Sequence, residues 1–142
     1  MGNKLTTINM NYEDLQNNIR NSNAIIINTL PLSMQSCLIL NTLAYNQEEE
    51  KINGLLKNNV DTVNIIIYGM NNCDETVYKK YKQLQELGFR KVYMYLGGMF
   101  EWMLLQEVYG EEEFPTNGEE LDILKFAPSS KPKLLMILDK SP

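Results

Sequence analysis

The sequence predicts a single α/β domain on a mostly parallel central sheet of about five strands flanked by helices, with a C-terminal extension. Three observations predict it. Two short β-branched runs, Ala24–Asn28 (AIIIN) and Asn64–Tyr68 (NIIIY), read as strands buried on both faces, the pattern of a parallel sheet. Helical stretches alternate with such runs, which is the order of an α/β fold. A length of 142 residues fits one domain, divided here into a body, residues 1–109, and an extension packed on it, residues 110–142.

Each element has its own warrant. Residues 11–20 (NYEDLQNNIR) form a short helix, with Leu15 and Ile19 four apart on one face. AIIIN follows as a buried strand. Residues 37–40 (CLIL) are a second apolar run, expected as a short strand. Residues 47–58 (QEEEKINGLLKN) form a helix whose acidic start and basic end match the helix dipole. NIIIY repeats the buried-strand pattern. Residues 76–87 form a helix with Val77, Tyr81, Leu84 and Gly88 on one face, and Gly88 caps its end. Residues 91–95 (KVYMY) are another strand, and residues 98–109 (GMFEWMLLQEVY) a strongly apolar helix. From Gly110 the chain turns acidic and then Pro-rich. It is expected to wrap over the domain through Phe114, Leu121, Ile123, Leu124 and Phe126. The last apolar run, residues 134–138 (LLMIL), fits an added strand, a docking segment or a dimer contact, and the sequence leaves these open.

Composition narrows the chemistry. Apolar residues make up 44% and charged residues 22%, so disorder over the whole length is excluded. No apolar run is long enough for a membrane span, and the start lacks the apolar core of a secretion signal. There is no histidine, which rules out His-based triads and imidazole zinc ligands. Two isolated cysteines, Cys37 and Cys73, build neither a disulfide framework nor a metal site, and they suit a reducing, cytoplasmic setting. A net charge of −5 disfavours nucleic acid as a partner. The acidic run 111–113 reads as a solvated turn, so neither a metal nor a cofactor is expected. The start Met1-Gly2-Asn3-Lys4-Leu5-Thr6 matches the N-myristoylation pattern at Gly2, but no basic cluster follows, and a single acyl chain anchors only marginally.

The informative stretch is residues 64–102. A buried strand ends at Tyr68, a tight loop follows (Gly69, Met70, Asn71, Asn72, Cys73, Asp74), and a helix begins. Ligands in such sheets bind outside the carboxyl ends of the strands. A loop feeding a helix start also aims backbone N–H groups at one point, as an anion cradle does. Four features then carry a resemblance: the strand IIIY before a short loop, a helix ending in LGF, the strand KVYMY, and the GG-x-x-x-W run Gly97-Gly98-Met99-Phe100-Glu101-Trp102. With these, residues 9 to 106 resemble the rhodanese-like family, in a divergent branch marked by FEWMLLQEVYGEEEFPT.

The resemblance implies a sulfurtransferase fold with a cysteine as the first loop residue, holding sulfur as a persulfide. In this sequence that position is Gly69, which cannot be a nucleophile. The basic residue often closing the family loop falls at Asp74, and the family's usual acidic strand residue falls at Asn28. Cys73 is the one replacement nucleophile on offer. The helix start favours its thiolate, and adjacent Asp74 and Glu75 oppose it. Cys37, inside an apolar run, reads as a buried, inert thiol. Asn72 and Glu75 have capping-box spacing, so Asn71, Asn72 and Asp74 read first as turn and cap chemistry. Gly97 and Gly98 permit a sharp strand-to-helix turn, and Phe100 and Trp102 are expected in the core.

The leading reading is therefore a catalytically inactive rhodanese-like module, binding a protein or small-molecule ligand through residues 69–74. Its rivals are a sulfurtransferase or thiol enzyme using Cys73, and a structural protein forming homodimers through its C-terminal tail.

Overall fold

The computed structural model describes residues 8–22, 24–58 and 63–128. The expectations for Gly2 and for residues 134–138 lie outside them. The chain begins with a two-residue strand, β1 (Asn9–Met10), and a helix, α1 (Tyr12–Asn21). β2 (Ala24–Asn28), α2 (Glu48–Asn58), β3 (Asn64–Tyr68), α3 (Thr76–Glu86), β4 (Val92–Tyr95) and α4 (Gly98–Tyr109) follow in alternation. Among the described residues beyond α4, a 3-10 turn spans Ile123–Phe126. None of the described helices is long and apolar enough to cross a membrane.

The strands pair in parallel in the order β1-β4-β3-β2. Ile25 to Ile27 stand opposite Ile65 to Ile67, so each strand sends alternate residues to opposite faces. Ile26, Ile66, Tyr68 and Tyr95 meet Leu15 and Ile19 of α1 and Met99, Trp102 and Met103 of α4. Ile27, Ile65, Ile67, Val92 and Met94 meet Ile52 of α2 and Val77 and Leu84 of α3. The result is three layers, with two helices on each face, and it explains why AIIIN and NIIIY carry no polar alternation.

The helix ends follow local chemistry. Asn11 caps α1: its side chain accepts from the Asp14 N–H at 2.9 Å, and Asp14 returns a bond to the Asn11 N–H. The end of α3 is a Schellman turn. Gly88, at φ +108°, donates to Gln85 O, and Phe89 donates to Leu84 O.

Two expectations are corrected. The sheet has four strands among the described residues, not about five, because residues 37–40 are not a strand. Their backbone bonds go instead to the C-terminal segment: Leu40 N–H donates to Pro115 O at 3.1 Å, and Asn117 N–H donates to Leu38 O at 2.9 Å. A fifth strand beside β2 is reduced to one bridge, Ile26 to Thr42, with Leu43 N–H donating to Ile26 O. The second correction concerns the wrap over the domain. Phe114 and Phe126 are buried and Ile123 packs beside them, but Leu121 and Leu124 are 88% and 74% exposed. A short 3-10 turn turns only part of its apolar set inward.

Candidate functional site

β3 and β2 end side by side, Tyr68 opposite Asn28, and the 69–74 loop leaves from that edge. Asn71 shapes the loop. Its backbone carbonyl accepts from the Asp74 N–H at 3.2 Å, and its side-chain oxygen accepts from the Cys73 N–H at 2.9 Å, an Asx turn. Its amide donates to the Phe126 carbonyl at 2.8 Å, tying the loop to the C-terminal segment. Asn71 is thus buried and committed.

The carboxylate of Asp74 sits at the centre. Oδ2 accepts from the Met70 N–H at 2.8 Å; Oδ1 accepts from the Thr76 N–H at 3.0 Å and bonds its hydroxyl at 2.5 Å. It therefore caps α3 and closes the loop at once. The expected box between Asn72 and Glu75 does not form. Glu75 is already in helical conformation with no side-chain bond to the helix start, so the cap passes to Asp74, two residues before the first N–H it serves.

Gly69 has no free space above it. A Cβ there would lie 2.4 Å from Asp74 Oδ2, 2.7 Å from Val77 Cγ2 and 2.8 Å from Thr29 Oγ1. The carbonyls of Gly69 and Met70 are used as well, accepting from Met99 N–H at 2.9 Å and Phe100 N–H at 2.8 Å, the first turn of α4. Gly98 makes this approach possible. Its φ is +67°, and a Cβ there would lie 2.8 Å from Gly69 O and 2.9 Å from Asn71 N. The first amides of α4, at Met99 and Phe100, are thus satisfied by the loop's own carbonyls.

Nearby side chains are equally bound. Asn28 exchanges two amide bonds with Gln35 and accepts from the Leu30 N–H. The buried Tyr95 donates to Glu101 Oε1 at 2.6 Å. Cys73 is exposed, with its Sγ 3.6 Å from Asn72 Oδ1. Cys37 is buried, and burial pushes its thiol up. No group of three or more acidic or thiol side chains that could hold a metal ion occurs among the described residues.

Beside the loop opens a cleft of about 510 Å³ between the end of β2 and α3, where Thr29 faces Thr76, Lys79, Lys80 and Gln83. Sequence reasoning missed this wall. Thr29 directly follows a buried strand, which is a usable signal, as is the Asp-x-Thr spacing of Asp74 and Thr76. Lys79 and Lys80 give none, because they look like any solvated helix face.

No protein-family model matches the sequence, and no curated protein matches it. Solved structures do. The BH2092 protein from Bacillus halodurans superposes with a TM-score of 0.61 at 19% identity, covering 81% of this chain and 80% of that one. The Alr3790 protein from Anabaena sp. gives 0.57 at 18% identity, over 82% of this chain and 97% of that one. The rhodanese-like domain of Alr3790 in solution gives 0.56 at 19% identity, over 88% and 87%. The chain therefore has the rhodanese-like fold.

Proposed function

We propose that this chain is a divergent member of the rhodanese-like family that does not transfer sulfur, and that it acts as a binding or regulatory module presenting the 69–74 loop to a partner. One observation carries the reading: the Asp74 carboxylate fills the side-chain space over Gly69 and takes the Met70 amide. A family enzyme needs a thiolate at that place and loop amides free to hold its sulfur. Here a fixed carboxylate fills that place and takes the Met70 amide, and it repels an anionic donor such as thiosulfate. What remains outward is the loop tip, Asn72 and Cys73, both exposed.

The direct test is thiosulfate-to-cyanide sulfur transfer by the wild type and by Cys73→Ser. Both are expected at the buffer rate. Turnover above buffer that disappears in Cys73→Ser would overturn the reading and favour Cys73 as nucleophile, the alternative that its exposure supports. A second arm uses the Cys73→Ser background. Gly69→Cys alone is expected to take up no sulfane sulfur, because Asp74, Val77 and Thr29 crowd the new side chain. Gly69→Cys with Asp74→Ala, Val77→Ala and Thr29→Ala, which clears all three side chains over the position, is expected to form a persulfide, read by intact mass after donor treatment.

A further inference from the structure

We propose that the cleft between the end of β2 and α3 binds a small phosphate-bearing molecule. This goes beyond the reading above and does not depend on whether the chain transfers sulfur. The cleft lies outside the carboxyl ends of the strands, where open α/β sheets take their ligands. It adjoins the loop but is separate from the filled space over Gly69. Thr29 is the shared wall, lining the cleft while its Oγ1 faces the Gly69 position.

The balance of donors and acceptors identifies the ligand. No Asp or Glu lines the cleft. Asn28 at its edge is committed to Gln35, and the Thr76 hydroxyl is bonded to Asp74 and to Thr29. Lys80 gives one hydrogen to Glu48 across the groove between α3 and α2 and keeps the others. Lys79 and Gln83 lie one turn apart on α3, and among the described residues neither side chain has a partner. Glu75, one turn before Lys79, forms no ion pair with it. The groups left to bind are therefore the unpaired Lys79 ammonium, the Gln83 amide and the remaining hydrogens of the ion-paired Lys80, a set rich in donors and poor in acceptors. A phosphate group is the complement, since it carries negative charge and presents mostly acceptor oxygens at neutral pH. The chain as a whole carries −5, so the positive cleft is a local feature and a long polyanion would be repelled. That favours a small molecule over nucleic acid.

The experiment is a titration of the full chain with inorganic phosphate and, separately, with O-phosphoserine, followed by amide NMR shifts. Saturable shifts are expected at Thr29, Thr76, Lys79, Lys80 and Gln83. Lys79→Gln should weaken binding by about tenfold, the loss of one charge-assisted contact. Lys79→Arg should retain it, and Lys57→Gln, the same charge change at the far end of α2, should leave it unchanged. Tighter binding of phosphoserine assigns the site to a phosphate ester, and equal or tighter binding of inorganic phosphate assigns it to the free ion. Shifts that are linear and scattered, or an equal loss in Lys57→Gln, would overturn the proposal in favour of unspecific charge attraction.

Discussion

On the face covered by α1 and α4, Tyr95, Trp102 and Phe114 stack edge to face, with ring centroids 5.9 and 5.0 Å apart. On the face covered by α2 and α3 the filling is almost wholly aliphatic, from Ile27, Ile52, Ile65, Ile67, Val77 and Leu84. The aromatic face is also wired by polar groups. Trp102 Nε1 donates to Pro115 O, Gln106 donates to Phe114 O, and the Tyr68 hydroxyl accepts from the Ile39 N–H while sharing a bond with Thr42. Among the described residues the aliphatic face is joined more sparsely, by the Lys80–Glu48 ion pair and the Thr76–Thr29 bond, and clefts run along α2 and α3. One face is sealed by irregular chain and fixed hydrogen bonds; the other is left open and carries the unspent donors.

The largest effect that tests this contrast is removal of residues 111–142. It takes away two buried aromatic side chains, worth about 3 to 6 kcal/mol by transfer estimates before entropy is subtracted. That approaches the whole net stability of a small domain. The expected product is insoluble or melts many degrees lower, and an unchanged melting curve would show the aromatic face to be self-sufficient. Phe126→Ala, within the full chain, should cost about 3 to 5 kcal/mol in urea unfolding. Asn71→Ala removes the tie between loop and segment and leaves the Phe126 carbonyl without that donor, for about 1 to 3 kcal/mol.

Alkaline pH acts on the same face. Burial holds the phenols of Tyr68 and Tyr95 well above the ordinary tyrosine value, and the Glu101 carboxylate adds to the shift at Tyr95. The unfolded chain releases these protons near pH 10 while the folded chain keeps them. Their contribution is therefore complete below that pH and is lost as pH rises above it, by up to about 1.4 kcal/mol per pH unit for each tyrosine. Unfolding free energies measured across this range should bend downward, and less so in Tyr95→Phe. The smallest effect is expected from Leu124→Ala, within about 0.5 kcal/mol, because this apolar residue points outward. A large loss there would mean that the segment is seated differently.

The aliphatic face was legible in the sequence, and the aromatic face only in part. AIIIN, NIIIY and the helix around Val77 and Leu84 announce themselves through local periodicity. β1 does not, because Asn9–Met10 has no pattern and exists by pairing with Met94 and Tyr95 far along the chain. Residues 37–40 look like a strand because an apolar run does not name its partner, which is residues 115–117. In the C-terminal segment no period separates Phe126, turned in, from Leu124, turned out. At the site, the place of the 69–74 loop could be read from the strand–loop–helix order. The twofold use of Asp74 could not, since it depends on how tightly α4 presses the loop.

The bonds that seal the aromatic face also set a timetable for the growing polypeptide. β1 must wait for β4, residues 38–40 for residues 115–117, and Asn71 for Phe126. Each of these three closures spans a long stretch of sequence, the arrangement that slows folding most. A ribosome that has delivered only as far as α4 holds out a chain with Trp102 and Tyr95 uncovered, the kind of surface that chaperones receive. Protection of that half of the molecule therefore arrives with its last-made contacts, so synthesis paused before Phe126 leaves a nascent chain far more prone to aggregate than the finished one.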